Sequence, residues 1–336
     1  MIELAVLGES ESARWNSVVE EFSDAALFHT SEWISFLESS FGLGKLLLGI
    51  YKDSQIVGVF PCLLTRKGPF KILGSPLRGW GTAYMGPLVE RGLLQEVMFE
   101  FDRLLRKLGI DYVEFSFGEH EEIPRDLLDE KGYVCEQTFT WILDLEGGEQ
   151  KLWSNLGDKG RNMVRKGIKN QVAIVEPVGT QWVEEFYPML LDSLHKHGTS
   201  SGKPKMVYHK LQDSLGAAGL KVLLAQHEGK TIAGGIFPFY KDTVYFWSGG
   251  SYGEYNWLAP NNLLQWSLIK WASDNGLRRY DMYGKGIPSI DRFKSSFGSR
   301  EASYVRCWKA MNPLVRLGRD AYSRGVVVER RIRSVF

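Results

Sequence analysis

Apolar and polar positions along the chain fall into patterns that recur in each half. From Leu47 to Pro61 the sequence reads L-L-G-I-Y-K-D-S-Q-I-V-G-V-F-P. From Leu223 to Pro238 it reads L-L-A-Q-H-E-G-K-T-I-A-G-G-I-F-P. Each is an apolar strand, a polar turn (Lys52-Asp53-Ser54; Glu228-Gly229-Lys230) and a second apolar strand ending in Phe-Pro, which predicts a hairpin. The second copy carries one extra residue at Gly234-Gly235, which predicts a bulge there. Farther on, Gly109-Ile110-Asp111-Tyr112-Val113-Glu114-Phe115 aligns without gaps to Gly276-Leu277-Arg278-Arg279-Tyr280-Asp281-Met282. Each stretch follows a helical pattern. Leu94, Val97, Phe101, Leu104, Leu105 and Leu108 keep helical spacing in the first, and Leu264, Leu268 and Trp271 in the second. A glycine stops each helix. Two matches in the same order favour duplication over chance.

Each half therefore predicts helix, hairpin, further strands, helix, strand. The opening helix of the first half covers Ser31 to Phe41, with Thr30 or Ser31 as N-cap and Gly42 as stop. The second half opens with a helical region from about Gln181 to His197. The halves join near Leu145-Glu146-Gly147-Gly148-Glu149-Gln150, and a terminal helix is expected from Leu314 to about Arg333.

The 336 residues suit two domains of about 150 residues each. The 41 basic and 40 acidic residues nearly cancel, which excludes a globally basic nucleic-acid coat but not a local basic patch. No apolar run reaches membrane-spanning length. The start, MIELAVLGESESARW, has an early acid and no basic stretch, so no signal peptide is expected. Cys62, Cys135 and Cys307 lie far apart without a CxxC, which predicts no disulfide framework and fits a reducing cytoplasm.

Metal-site and nucleotide-loop motifs are missing. There is no HExxH or Walker A pattern, and His195-x-His197 on a helix points its rings to different sides. Three other segments can carry chemistry. Lys151 to Asn170 holds six cations (Lys151, Lys159, Arg161, Arg165, Lys166, Lys169) against one acid, Asp158. As a helix it aligns Arg161, Arg165 and Lys169, which suits either a phosphate-rich partner or a merely solvated face. Trp257-Leu258-Ala259-Pro260-Asn261-Asn262 reads as a helix start able to offer N–H groups to an anion, or as plain helix initiation. Tyr280-Asp281-Met282-Tyr283-Gly284-Lys285-Gly286, followed by Asp291-Arg292-Phe293-Lys294-Ser295-Ser296-Phe297-Gly298, crowds polar residues at a strand end. Lys294 is expected there in a loop, where it would contribute little packing and could stabilise an oxyanion.

Taken in order, Phe28-His29-Thr30-Ser31-Glu32-Trp33, the basic R-N-M-V-R-K-G-I-K helix, P-N-N-L-L-Q-W, Y-D-M-Y-G and R-F-K-S-S-F-G resemble the FemAB-like aminoacyl/acyltransferases over about residues 20 to 312. These include the enzymes that build peptidoglycan interpeptide bridges and their acetyltransferase-like relatives found beside polysaccharide genes. The resemblance implies an α/β fold of mixed sheets: two tandem GNAT-like domains, 1–148 and 149–312, the second carrying the transfer site, and a C-terminal helix, 313–336. It implies acyl transfer to an amine, with Phe293 and Lys294 at the transfer site, and with Arg161 and Arg165 facing phosphates; the neighbouring Lys159 is a further candidate phosphate ligand. Two departures stand out. Bridge enzymes carry a lysine soon after this tryptophan that helps hold the precursor's uridine diphosphate, whereas no lysine follows Trp33 until Lys45, and the glycines of Ser248–Pro260 do not have the Q/R-x-x-G-x-G/A spacing of acetyl-CoA enzymes.

The expectation is a cytoplasmic N-acyltransferase acting on a cell-envelope precursor, without a tightly bound cofactor or metal. Its co-substrate is aminoacyl-tRNA or acyl-CoA, its acceptor an amine of a cell-wall or polysaccharide precursor, with peripheral membrane contact through a lipid-linked substrate. Asp281 or Tyr283 takes the proton, Lys294 and N–H groups near Trp247–Gly249 hold the oxyanion, and Asn261 and Asn262 bind substrate. The alternatives are an acetyl-CoA-dependent N-acetyltransferase on an amino sugar of an exopolysaccharide, and a non-catalytic module that binds a nucleotide-sugar or an RNA.

Overall fold

The computed structural model describes residues 1–119, 123–196 and 202–319. Its strands are β1 (Ile2–Val6), β2 (Gly44–Lys52), β3 (Gln55–Lys67), β4 (Phe70–Ser75), β5 (Leu88–Val89), β6 (Tyr112–Ser116), β7 (Val134–Asp144), β8 (Ala173–Val175), β9 (Leu220–His227), β10 (Lys230–Tyr240), β11 (Thr243–Tyr245), β12 (Ser248–Ser251), β13 (Arg279–Asp281) and β14 (Arg300–Ala310). Its α-helices are α1 (Glu9–Ser12), α2 (Trp15–Glu20), α3 (Ser31–Phe41), α4 (Leu94–Lys107), α5 (Arg125–Glu130), α6 (Gly148–Asn155), α7 (Asp158–Lys169), α8 (Trp182–Lys196), α9 (Lys205–Gly219), α10 (Pro260–Asp274) and α11 (Pro288–Ser295).

The chain divides into two compact units, Met1–Gln137 with Tyr304–Phe336, and Thr138–Ser303. The crossings thus fall inside β7 and β14, not at Gly147-Gly148 or near residue 312 as the linker reading placed them. The first unit's sheet runs β1-β2-β3-β4-β6-β14, with β5 on β3, and the second's runs β8-β9-β10-β11-β13-β7, with β12 on β10. Position by position the two orders correspond, and in both the fourth and fifth strands are parallel. Each unit is completed by a strand that sequence order would have given to the other half. The first seven residues of the expected terminal helix, 313–319, are helical, and the rest of that expectation lies outside the described residues.

The predicted hairpins occupy equivalent places. Both close with a two-residue turn whose residues have positive φ, Asp53 and Ser54 in one and Glu228 and Gly229 in the other. The bulge of the second hairpin sits at Ile232, between Thr231 and Ala233, not at Gly234-Gly235. The first hairpin is bulged at the matching place, Val57. Helices α3, α4 and α10 stop as expected, at Gly42, Gly109 and Gly276, all with positive φ. The F-H-T-S-E-W segment is a helix start: Thr30 accepts from the Trp33 N–H at 3.3 Å, and the buried His29 ring bonds to Ala26 N and Gly86 O.

Each unit has its own core, Phe60, Phe101 and Phe115 marking the first and Phe237, Leu268 and Tyr280 the second. The first unit fastens β14 with buried ion pairs, Arg306 to Glu114 and Lys309 to Asp102, and with a disulfide between Cys135 and Cys307, Cα atoms 4.1 Å apart. The expectation of no disulfide framework did not anticipate that bond, which removes the cysteine-based argument for a reducing compartment. The two cysteines are 172 residues apart in sequence, so spacing carries no sign of the bond. Among the described residues no helix is long and apolar enough to cross a membrane, and no His/Cys/Asp/Glu group could hold a metal ion.

Candidate active site

The site opens in the second unit because two parallel strands part. β11 and β13 pair from Thr243–Arg279 to Tyr245–Asp281, and Phe246 N–H still donates to the Asp281 carbonyl at 2.8 Å. Beyond that, β12 leans away onto β10, while the chain after Asp281 turns out through Tyr283, Gly284 and Gly286, all at positive φ. The result is a cleft of about 740 Å³. Trp247 to Ser251 form one wall and Met282 to Ile287 the other, with Asn261 and Asn262 at the start of α10 and Phe293 and Lys294 on α11 also lining it.

The outgoing turn is fixed from three sides. Asp281 Oδ1 accepts from the Tyr283 N–H at 2.9 Å and from the Thr140 hydroxyl. Asp291 accepts from Trp141 Nε1 at 3.0 Å and from the Gly286 N–H at 3.1 Å. The Lys294 ammonium donates to the carbonyls of Tyr283 and, at 2.7 Å, Gly284. An ammonium has three N–H donors, so one remains for a group in the cleft. Burial lowers the Lys294 pKa from 10.5 to about 8, opposed by the nearby Asp291 and Asp281 carboxylates. At neutral pH the group is still mostly charged.

Of the residues expected at the site, Tyr283, Phe293, Lys294, Asn261 and Asn262 line one cleft. Asp281 does not: it is fully buried and holds the turn. Lys294 is not in a loop. It lies in the last turn of helix α11 at 6% exposure, so it is an interior group. The Trp247 N–H is spent on the Ile236 carbonyl at 3.0 Å and cannot serve an oxyanion. Lys159, Arg161 and Arg165 lie on α7, outside the cleft lining. Arg161 instead donates to the carbonyls of Ser154 at 3.0 Å and Leu156 at 2.5 Å, closing the end of α6, and pairs with Asp158. Helix α7 still touches the site from behind. Gly157 N–H donates to Ser296 O at 3.1 Å, and a Cβ on Gly160 would lie 2.6 Å from that oxygen. Sequence reasoning missed Thr140 and Trp141 and gave Asp291 no role of its own, because their bonds join positions 141 to 150 residues apart or reach only locally into a turn.

Residues 183–295, which hold this cleft, match the acetyltransferase (GNAT) domain family. A UDP-N-acetylmuramoylpentapeptide-lysine N(6)-alanyltransferase of Weissella viridescens is 23% identical over 133 residues, 40% of this chain and 39% of that protein. A crystal structure of FemX aligns with TM-score 0.73 and 12% identity over 90% of this chain and 96% of that one. The chain thus carries a GNAT domain and has the fold of FemX. A tandem GNAT protein from the clavulanic acid pathway shares the fold at TM-score 0.60 and 11% identity, covering 93% of this chain and 99% of its own. The alanyltransferase match spans about two fifths of that relative's length.

Proposed function

We propose that this protein is a FemAB-like N-acyltransferase that moves an aminoacyl group onto an amine of a peptidoglycan precursor. The observation that carries the reading is Lys294, a buried ammonium on the cleft wall with one donor unspent. The alanyltransferase relative supports the substrate class.

In the proposed step the neutral acceptor amine attacks the donor carbonyl carbon. The carbonyl oxygen gains negative charge, and the free N–H of Lys294 meets it. The intermediate then collapses, the bond from carbon to the donor's alcohol or thiol breaks, and the amine proton passes to that leaving group. Tyr283 lines the cleft and Asp281 does not, which supports Tyr283 as the relay for this proton. The cleft supplies orientation.

The glycine-bearing segment before α10, Ser248–Pro260, lacks the Q/R-x-x-G-x-G/A spacing of acetyl-CoA enzymes, which favours an ester donor over acyl-CoA. The only cations in the described lining are Lys285 and Lys294. Both donor pools and nucleotide-linked precursors are made in the cytoplasm, where this reading places the reaction; a lipid-linked acceptor would bring it to the membrane surface. The test is mass spectrometry of a UDP-linked muramyl pentapeptide incubated with the protein and either alanyl-tRNA or acetyl-CoA. The reading expects gain of one aminoacyl residue with alanyl-tRNA. Acetylation of an amino sugar with acetyl-CoA alone would replace it with the acetyltransferase reading.

A further inference from the structure

We infer that the outer face of α7, with the groove beside Trp153, docks a single-stranded RNA. The inference deepens the proposed function by naming how the donor is held. It rests on that reading only for its purpose, since the docking itself is read by binding.

Elsewhere in the second unit Lys196 pairs with Asp192, Lys205 with Glu184, Arg278 with Glu146 and Lys285 with Glu301. Helix α7 is different. Lys159, Arg165, Lys166 and Lys169 are exposed and have no ion pair among the described residues. Its one acid, Asp158, is taken by Arg161. The four cations span eleven residues, or about 15 Å of helix. In a chain whose charges otherwise nearly cancel, this is a concentrated binding field for a polyanion.

The inner face of the same helix is built for close seating. Gly160 abuts Ser296 O, and Gly167 abuts Leu263 of α10. A polyanion on the outer face therefore lies one helix away from the turn that follows Lys294.

Aromatic surface sits next to the charge. The Arg165 guanidinium lies 5.4 Å from the Trp153 ring centroid, and Trp153 meets Trp266 edge-on at 5.0 Å. Trp153, Trp266, Ile168 and Lys270 line a groove beside them, Lys270 being paired there with Glu149. Cations that track phosphates beside aromatic and guanidinium planes that stack bases are what a single strand requires. A lipid surface would need an apolar stripe, and α7 exposes only one large apolar residue strongly, Ile168.

The test is fluorescence anisotropy of a short labelled single-stranded RNA across a salt series, with phosphatidylglycerol vesicles and inorganic pyrophosphate as competitors. Wild type should bind the RNA, with affinity falling steeply as salt rises. Changing Lys159, Arg165, Lys166 and Lys169 together to Gln keeps helix-forming residues at exposed positions and leaves the structural Arg161 in place. That variant should lose on the order of a hundredfold in affinity at low salt and about 3 units of log–log salt slope, about 0.7 for each phosphate contact. Arg165→Lys should weaken binding several-fold without changing the slope. RNA binding absent from wild type, or unchanged in the fourfold variant, overturns the inference. So does binding to vesicles in place of RNA, or displacement of the RNA by pyrophosphate alone. Each of these can occur while acyl transfer itself stands.

Discussion

The two units build the same gap and treat it in opposite ways. In the first, β4 and β6 run parallel and then part, and residues 76–87 fold back over their ends. Met85 N–H donates to Ser116 O at 3.2 Å, Gly86 lies so close that a Cβ would stand 2.8 Å from that oxygen, and Trp80, Tyr84 and Met85 are buried. In the second, β11 and β13 part at the matching place, and the chain turns outward to leave a cleft. The aligned acids diverge with it. Glu114 is buried against Arg306 at 3.4 Å and accepts from the Tyr112 hydroxyl at 2.9 Å. Asp281 accepts from a hydroxyl and a backbone N–H, and the nearby cation, Lys294, is directed at turn carbonyls instead. A repeated scaffold thus supplies the gap twice. What fills it, and which cation faces it, makes one copy structural and leaves the other open for chemistry.

That contrast can be broken at the first unit. Arg306→Met leaves Glu114 buried without its cation and should cost about 3 kcal/mol of stability in denaturant unfolding. A loss below about 1 kcal/mol would show that the first unit's acid is not locked. Gly86→Ala should cost about 2 kcal/mol, because its new methyl has only backbone to meet. An unchanged melting midpoint would mean that the segment over β4 and β6 is loosely seated. In the second unit, Thr140→Val removes one bond from the buried Asp281 and should cost about 1 kcal/mol, with a lower transfer rate as the turn loosens. Loss of stability with no change in rate would separate Asp281 from the chemistry.

The hairpins, the glycine stops and the paired G-x-x-x-x-acid strands were legible because they are local: turn residues, helical spacing and one cap each. The exchange of final strands was not. β7 follows directly on the first unit's elements, and nothing in Val134–Asp144 tells which sheet it will join. The cleft residues from Tyr283 to Lys294 were found as a polar cluster at a strand end, but the place of Lys294 was misread. Its serine neighbours suggest a loop, whereas Pro288 starts a helix that carries the lysine inward. Arg161 was misassigned for the opposite reason. Helical spacing groups it with Arg165 and Lys169, but only the bend between α6 and α7 puts its guanidinium against free carbonyls. The fold was therefore readable from short patterns. The roles of single cations depended on contacts that those patterns do not contain.

The central claim is that the Lys294 ammonium acts on the reaction, and the pH dependence of single-turnover transfer tests it most directly. Because the charged form is required and its pKa is lowered to about 8, the wild-type rate should fall as pH rises through that value. Between pH 8 and 10.5 the unfolded chain holds more protons on this lysine than the folded one, so stability should rise over the same window in which activity is lost. Lys294→Arg should move the high-pH loss out of range. Lys294→Met should lower the rate on the order of a hundredfold and flatten this limb of the profile. A Lys294→Met protein that is folded, transfers at nearly the wild-type rate and keeps the fall near pH 8 would contradict the account.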